Sequence, residues 1–389
     1  MKNIAIVMPS YKPVPDVRGG GIEHLVTNII TDNEQVNRFH IDLYTIDDVR
    51  LTKYNFSNTV LYKIRKNRLK IIIEKIINRI LFYLNIEFVF DWYNYSVKHK
   101  IKNKKYDFII VENNMYLYKI LYCVVNSKFI FHLHNDIDNR NKPYSLCKFI
   151  SNTASQVITC SEFLKERFYS ITKCNQIAVL NNCVDFKIFT YSDMDRINLR
   201  KKYKLDKNDV VFLYIGRISE DKGIIPLIES FELIKNKNFK LFIIGDKENG
   251  DHHTISMFNN LIESSVKSKY LGKIFNKDLY KFISMADSVV IPTIVEEAFG
   301  LVAIEAMSCG KPVIVANSGA LTELVDHKCG FIFDKEQFAE SFIDVVSEIN
   351  DIAQLQEMGK NALKKVRNNP SYDSEKYFDN FRKILDNIR

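Results

Sequence analysis

The sequence predicts an α/β protein made of two parallel-sheet domains of the Rossmann-like kind. Three observations carry this. Short, almost uniformly apolar runs recur along 389 residues. Amphipathic stretches long enough for a helix separate most of them. A polar segment, residues 185–209, divides the runs into two series. Strands without polar alternation are buried on both faces, which calls for helices on both sides of a parallel sheet.

The first series is residues 4–8, 41–46, 59–64, 108–111, 129–134, 157–160 and 177–180; the second is 210–216, 241–245, 269–271, 288–292, 312–316 and 330–333. The expected division is an amino-terminal domain over 1–188, a second domain over 189–370, and a closing helix over 371–389 that returns to the first domain. A charged helix, 196–204, is expected to open the second domain. In such sheets ligands bind outside the carboxyl ends of the strands, so the loops there are the places to look.

Composition narrows the function classes. Hydrophobic residues make up 46% and charged residues 26%, which excludes a disordered or coiled-coil chain. The net charge of +8 favours an anionic partner but is too small for a dedicated nucleic-acid binder. The first apolar run is short and ends at Pro9, so it reads as a strand rather than a leader. No stretch offers 18 uncharged apolar residues. The seven cysteines include no CxxC pair and read as reduced thiols, not a zinc site.

The strongest motif runs from Pro292 through Glu296, Glu297, Phe299, Gly300, Leu301, Val302 and Glu305 to Gly310-Lys311-Pro312. A strand ends at Pro292, a loop carries two carboxylates, and a helix runs from about Gly300 to Gly310. Free amides at such a helix start suit a phosphate. Glu297 and Glu305, eight residues apart, could hold hydroxyls at two ends of one ligand; otherwise Glu297 only complements the helix dipole and Glu305 is a solvated residue. A second motif, Gly216-Arg217 with Lys222-Gly223, puts two cations at a strand end, suited to a diphosphate or merely solvated. A third, Gly19-Gly20-Gly21-Ile22-Glu23, allows close backbone approach or a flexible turn; it is not GxGxxG, which disfavours a nicotinamide site. A fourth, His132-Leu133-His134-Asn135-Asp136, ends a strand; alternation puts both histidines on one side, with no partner cluster evident for a metal.

Together these residues resemble the retaining glycosyltransferase family 4, of GT-B architecture. The segment from Glu297 to Glu305 is similar to that family's paired-glutamate signature, Gly216-Arg217 with Lys222 to its donor-diphosphate motif, Gly20-Gly21 with Glu23 to its first-domain glycine loop, and Asn182-Cys183-Val184-Asp185 to its Asn-Gly-Val-Asp. Ala298 and Cys183 depart from the usual glycines. The resemblance implies two Rossmann-like domains facing across a cleft. It implies transfer of a sugar from a nucleoside-diphosphate sugar, a UDP-sugar foremost, to a hydroxyl acceptor with retention, in bacterial surface polysaccharide or glycan synthesis. Arg217 and Lys222 would bind the diphosphate, Gly216 turning the loop that carries them. Glu305 would hold the ribose, and Glu297 with the amides of Phe299, Gly300, Leu301 and Val302 would hold the sugar and its phosphate. His134 would lie by the sugar and acceptor, and Gly20 and Gly21 near the phosphates. No cofactor or metal is expected, since fixed cations take its place. A disaccharide phosphorylase or sugar-phosphate synthase, or a non-catalytic relative, would use the same scaffold.

Residues 63–105 hold 12 Lys or Arg and three acids, with apolar positions 71/72, 76, 80 and 83/84 on one helical face. This is a core helix with solvated lysines or a surface that meets an anionic membrane. The second reading fits a lipid-linked or envelope glycan acceptor. A cytoplasmic location, peripheral to the inner face of the membrane, and no nucleic-acid partner are the matching expectations.

Overall fold

A computed structural model describes residues 1–66, 68–84, 90–137, 144–248 and 250–388. Asn67 and residues 85–89 of the basic stretch, and Arg389, lie outside the described residues. The chain forms two units, Met1–Asn181 with Tyr377–Arg389, and Asn182–Lys376.

Unit 1 contains, in chain order, β1 (Lys2–Val7), α1 (Gly21–Val36), β2 (Phe39–Ile46), β3 (Thr59–Ile64), α2 (Arg68–Tyr83), α3 (Trp92–Ile101), β4 (Phe108–Glu112), α4 (Met115–Tyr122), β5 (Lys128–Leu133), α5 (Tyr144–Thr153), β6 (Gln156–Thr159), α6 (Glu162–Thr172) and β7 (Ile177–Val179). Its sheet has the order β3-β2-β1-β4-β5-β6-β7, parallel throughout. Each apolar run of the first series is a strand. β4 is buried at all of its positions, as a strand covered on both faces must be.

Unit 2 contains α7 (Asp193–Lys202), β8 (Val210–Ile215), α8 (Ile224–Leu233), β9 (Phe239–Ile244), α9 (His252–Ser264), β10 (Ser268–Gly272), α10 (Asn276–Met285), β11 (Ser288–Ile291), α11 (Leu301–Ser308), β12 (Val313–Ala316), α12 (Leu321–Leu324), β13 (Gly330–Phe333), α13 (Phe338–Ser347) and α14 (Ile352–Arg367); α15 (Ser374–Asp386) follows. The parallel sheet order is β10-β9-β8-β11-β12-β13. In its core Phe212 meets Phe231 edge-on at 5.4 Å and Phe239 at a tilt at 5.1 Å between ring centres.

Both sheets reverse direction of winding once, between β1 and β4 in unit 1 and between β8 and β11 in unit 2. At such a point the two neighbouring loops leave for opposite faces and open a crevice. The glycine loop follows β1, Gly216–Gly223 follows β8, and Thr293–Gly300 follows β11. Three of the four motifs therefore sit beside a switch point.

The charged helix begins at Asp193, three residues before the expected Arg196, because Ser192 caps it by accepting from the Asp195 amide at 3.2 Å. Its Arg196 and Arg200 reach buried Asp287 at 2.6 and 3.3 Å, which fastens α7 to the sheet. The closing helix is shorter than 371–389: a 3-10 turn over Pro370–Tyr372 precedes α15. None of the seven cysteines is in a disulfide. Among the described residues no helix is long and apolar enough to cross a membrane.

Candidate functional site

In unit 2 the loops after β8 and β11 are tied together. The Ile294 amide and the Thr293 hydroxyl both donate to the Asp221 carbonyl, at 3.0 and 3.2 Å. This brings Lys222 against Glu297, with Nζ 2.7 Å from Oε2 and both side chains about three-quarters buried. The Glu297 amide donates to Ser318 Oγ at 3.1 Å, and the Ala320 amide donates to the Glu297 carbonyl at 2.9 Å. Ser318-Gly319-Ala320 is thus the brace of the carboxylate loop. Glu296 pairs with Lys335 at 2.6 Å, so the two adjacent glutamates point to different cations.

Arg217 is placed differently. Its guanidinium is half-exposed and bonded to Asp221 at 2.8 Å, an i,i+4 pair. Tyr214 donates its hydroxyl to the Arg217 carbonyl at 2.6 Å, across the backbone of Gly216.

α11 opens on Gly300, which has φ 99° and no side chain to cap the helix. A Cβ there would also come 2.6 Å from Leu321 Cδ2, so only glycine fits. The first amides of α11, those of Leu301 and Val302, have no partner within the helix, as at any helix start. Phe299 is buried and meets the Tyr372 ring edge-on at 6.1 Å. One and a half turns further on, Glu305 is buried, and among the described residues its carboxyl has no hydrogen-bond partner. Burial raises it to about 8, so it carries a proton at neutral pH.

The unit 1 residues form a separate group. Gly19 and Gly20 have φ of 72° and 142°, and Gly21 opens α1. A Cβ on Gly20 would collide with the Glu23 carboxylate, which folds back over the helix start and is raised by its own burial. His134 directly follows β5. Its Nε2 lies 2.7 Å from Glu112 Oε2, and His132 Nδ1 lies 3.1 Å from the same oxygen. The two rings are 3.9 Å apart. The absence of a partner cluster expected from the sequence is therefore corrected. Glu112 on β4 is in register with His132 on β5, and strand pairing supplies the acid. Burial alone would raise Glu112, but the two imidazoles outweigh it and hold the carboxylate well below its ordinary value.

Glu112, His132 and His134 are also the residue types that hold a metal, with ligand atoms within 4.8 Å of one another. The 2.7 Å separation is that of a hydrogen bond between His134 and the carboxylate, and at 3.1 Å His132 makes an ion-pair contact with the same oxygen. Ligands of a tetrahedral ion at about 2.0–2.1 Å would stand further apart, at roughly 3.3 Å. The geometry is that of a carboxylate hydrogen-bonded to His134 with the His132 ring beside it.

Residues 195–365, which hold the Gly216–Gly223 and Pro292–Pro312 motifs, match the family described as glycosyl transferases group 1. This part of the chain is similar to the group 1 glycosyltransferases. The chain is 27% identical over 261 residues to the lipopolysaccharide 1,2-N-acetylglucosaminetransferase of Salmonella typhimurium, covering 65% of this chain and 66% of that protein. It is 33% identical over 237 residues to the capsular polysaccharide biosynthesis glycosyltransferase CapM of Staphylococcus aureus, covering 58% and 60%. It thus spans less than two thirds of the length of either curated relative. Among solved structures it is similar to Anabaena HepE in complex with UDP-glucose, with TM-score 0.77, 20% identity, and 99% and 100% of the two chains covered. That likeness shows the fold: the two parallel-sheet units are those of the GT-B glycosyltransferase structures.

Proposed function

We propose that this protein is a group 1 glycosyltransferase that moves a sugar from a UDP-sugar to a hydroxyl acceptor of a bacterial surface polysaccharide, retaining the anomeric configuration and without a metal. The observation that carries this reading is the switch point of unit 2. There an uncapped helix start lies in the same loop system as a lysine–glutamate pair, and a protonated buried glutamate stands one and a half turns along the helix. The UDP-glucose complex of the similar HepE supports the choice of base.

The chemistry follows from charge. As the diphosphate departs, negative charge builds on its oxygens while the sugar becomes oxocarbenium-like. Lys222, Arg217 and the Leu301 and Val302 amides are fixed donors for that charge. Lys222 exchanges Glu297 for the diphosphate, and the released Glu297 carboxylate accepts from sugar hydroxyls. Arg217 likewise gives up Asp221. On nucleotide binding Glu305 releases its proton to solvent and accepts from two ribose hydroxyls with its two carboxylate oxygens. His134, held by Glu112, is assigned to the sugar and acceptor, and Gly20 and Gly21 to the phosphates, on the family resemblance.

A thermal-shift screen of nucleotide sugars in the presence of EDTA tests the donor. A UDP-sugar at 100 times its dissociation constant should stabilise the protein by about 2.7 kcal/mol. Slow donor hydrolysis should persist with the chelator. Stabilisation by no nucleotide sugar overturns the donor assignment, and a strict need for added divalent ion overturns the metal-free part.

The acceptor is proposed to be lipid-linked, with α2 resting on an anionic leaflet. Leu69, Ile72, Ile76 and Ile80 on this helix are all more than half exposed. Lys70, Lys75 and Arg79 lie between them. A helix with an exposed apolar stripe and flanking cations is suited to an interface. The protein should cosediment with vesicles containing phosphatidylglycerol, less at high salt, and the Ile72→Ser/Ile76→Ser/Ile80→Ser variant should stay in the supernatant. Equal binding to neutral vesicles, or none to either, sinks the proposal.

A further inference from the structure

We infer that a second cavity in unit 2, at the carboxyl end of α11, binds an organic phosphate through Lys311. The cavity has a volume of about 810 Å³, within the range of small-molecule sites. It is lined by Ser308 to Lys311, at the opposite end of α11 from Gly300 and roughly 12 Å away by helix rise. The inference stands independently of the donor assignment.

Five of the lining side chains are basic and one is acidic, so the cavity selects an anion. The acid, Asp287, is already engaged. It accepts from Arg196 at 2.6 Å, from Arg200 at 3.3 Å and from the Val211 amide at 2.8 Å. Arg196 donates in addition to the carbonyls of Ser284, Met285 and Ala286 at 2.9–3.2 Å. Arg367 donates to the carbonyls of Phe186 and Phe189. Arg196 and Arg367 thus have partners of their own and form part of the wall.

Lys311 is surplus to that network. It is 7% exposed and faces the Tyr191 ring, with Nζ 4.8 Å from the ring centre. Among the described residues it has no hydrogen-bond acceptor. A buried ammonium without one is costly. Burial first, and then repulsion from Arg196, lower its affinity for a proton to about 7, with Asp287 opposing. An anion in the cavity removes both penalties at once. At the end of α11 the Ala306 and Met307 carbonyls already accept from the Lys311 and Gly310 amides. Lys364 reaches the same space from α14, so a phosphoryl group with several oxygens can bridge two lysines. Ile352, Leu355 and Leu363 supply an apolar wall for the rest of the molecule.

The test is calorimetric titration with 1-naphthyl phosphate, using 1-naphthol as the uncharged control. Wild type should bind the phosphate and not the naphthol. Lys311→Met should weaken binding by at least about tenfold, the size of a lost charged hydrogen bond. Lys364→Ser, on the exposed side of α14, should weaken it less and cannot unfold the protein, which covers a folding failure of the buried variant. Arg217→Ala should bind as wild type. A parallel flotation arm with phosphatidic acid vesicles identifies the source: binding there that needs Lys311, with none of the soluble phosphate, assigns a lipid headgroup. The inference is overturned if neither probe binds, if Lys311→Met binds undiminished, or if Arg217→Ala abolishes the binding.

Discussion

Replacing Lys222 by alanine is expected to lower sugar transfer by roughly 100- to 1,000-fold, the loss seen when one pre-aimed donor to a developing oxyanion is removed. The loss should fall mainly on kcat, because the charge that Lys222 meets is largest in the transition state. Folding should survive. The Lys222–Glu297 pair is partly exposed, and such pairs contribute about 1 kcal/mol or less. Lys222→Arg should recover part of the rate, since the charge returns with a different shape. Steady-state rates on a UDP-sugar decide the matter: unchanged turnover in Lys222→Ala would remove this residue from the mechanism and leave its pairing with Glu297 as a structural brace.

Glu305→Gln should make the protein more stable and a poorer nucleotide binder. The folded carboxyl titrates at about 8 against an ordinary 4.5, because burial disfavours its charge. The native state then holds a proton that the unfolded chain has released. Stability therefore falls as pH rises through the window from about 4.5 to 8, by about 1.4 kcal/mol per unit. At pH 7 the accumulated penalty is about 3 kcal/mol, and glutamine, which never ionises, escapes it. Melting curves should show the variant well above wild type at pH 8 and level with it at pH 4.5. Its affinity for UDP should fall about tenfold or more, since an amide oxygen and nitrogen replace a group tuned to two hydroxyls. A pH-independent difference in melting would mean that Glu305 is charged in the folded protein. Undiminished UDP binding would detach it from the ribose.

The strands were legible because burial on both faces leaves an uninterrupted apolar run, and all thirteen runs are strands of the two parallel sheets. The helix bearing Glu305 was legible from Gly300 and Gly310, since glycine at each end marks where a helix starts and stops. Pairing across the sheet was not legible. Glu112 and His132 are 20 residues apart, and nothing local says that β4 and β5 are neighbours in that register. The same holds for Lys222 and Glu297, 75 residues apart, which the sequence offered as two separate ligand contacts and which the fold brings into one ion pair. The basic cavity escaped for a related reason: Arg196, Asp287, Lys311 and Lys364 come from four different segments. Only Lys311 lay inside a recognised motif, as a neighbour of Gly310. Arg217 was legible as a cation but not as one held by Asp221, although that acid is four residues away.

The last helix has a consequence for how the protein is made. Tyr377, Phe378, Phe381 and Leu385 are buried side chains of unit 1, and Phe378 meets Phe39 edge-on at 6.2 Å. A ribosome reaches them only after translating the whole of unit 2. Unit 1 is therefore complete only once Tyr377–Leu385 have emerged, after unit 2 has been synthesised.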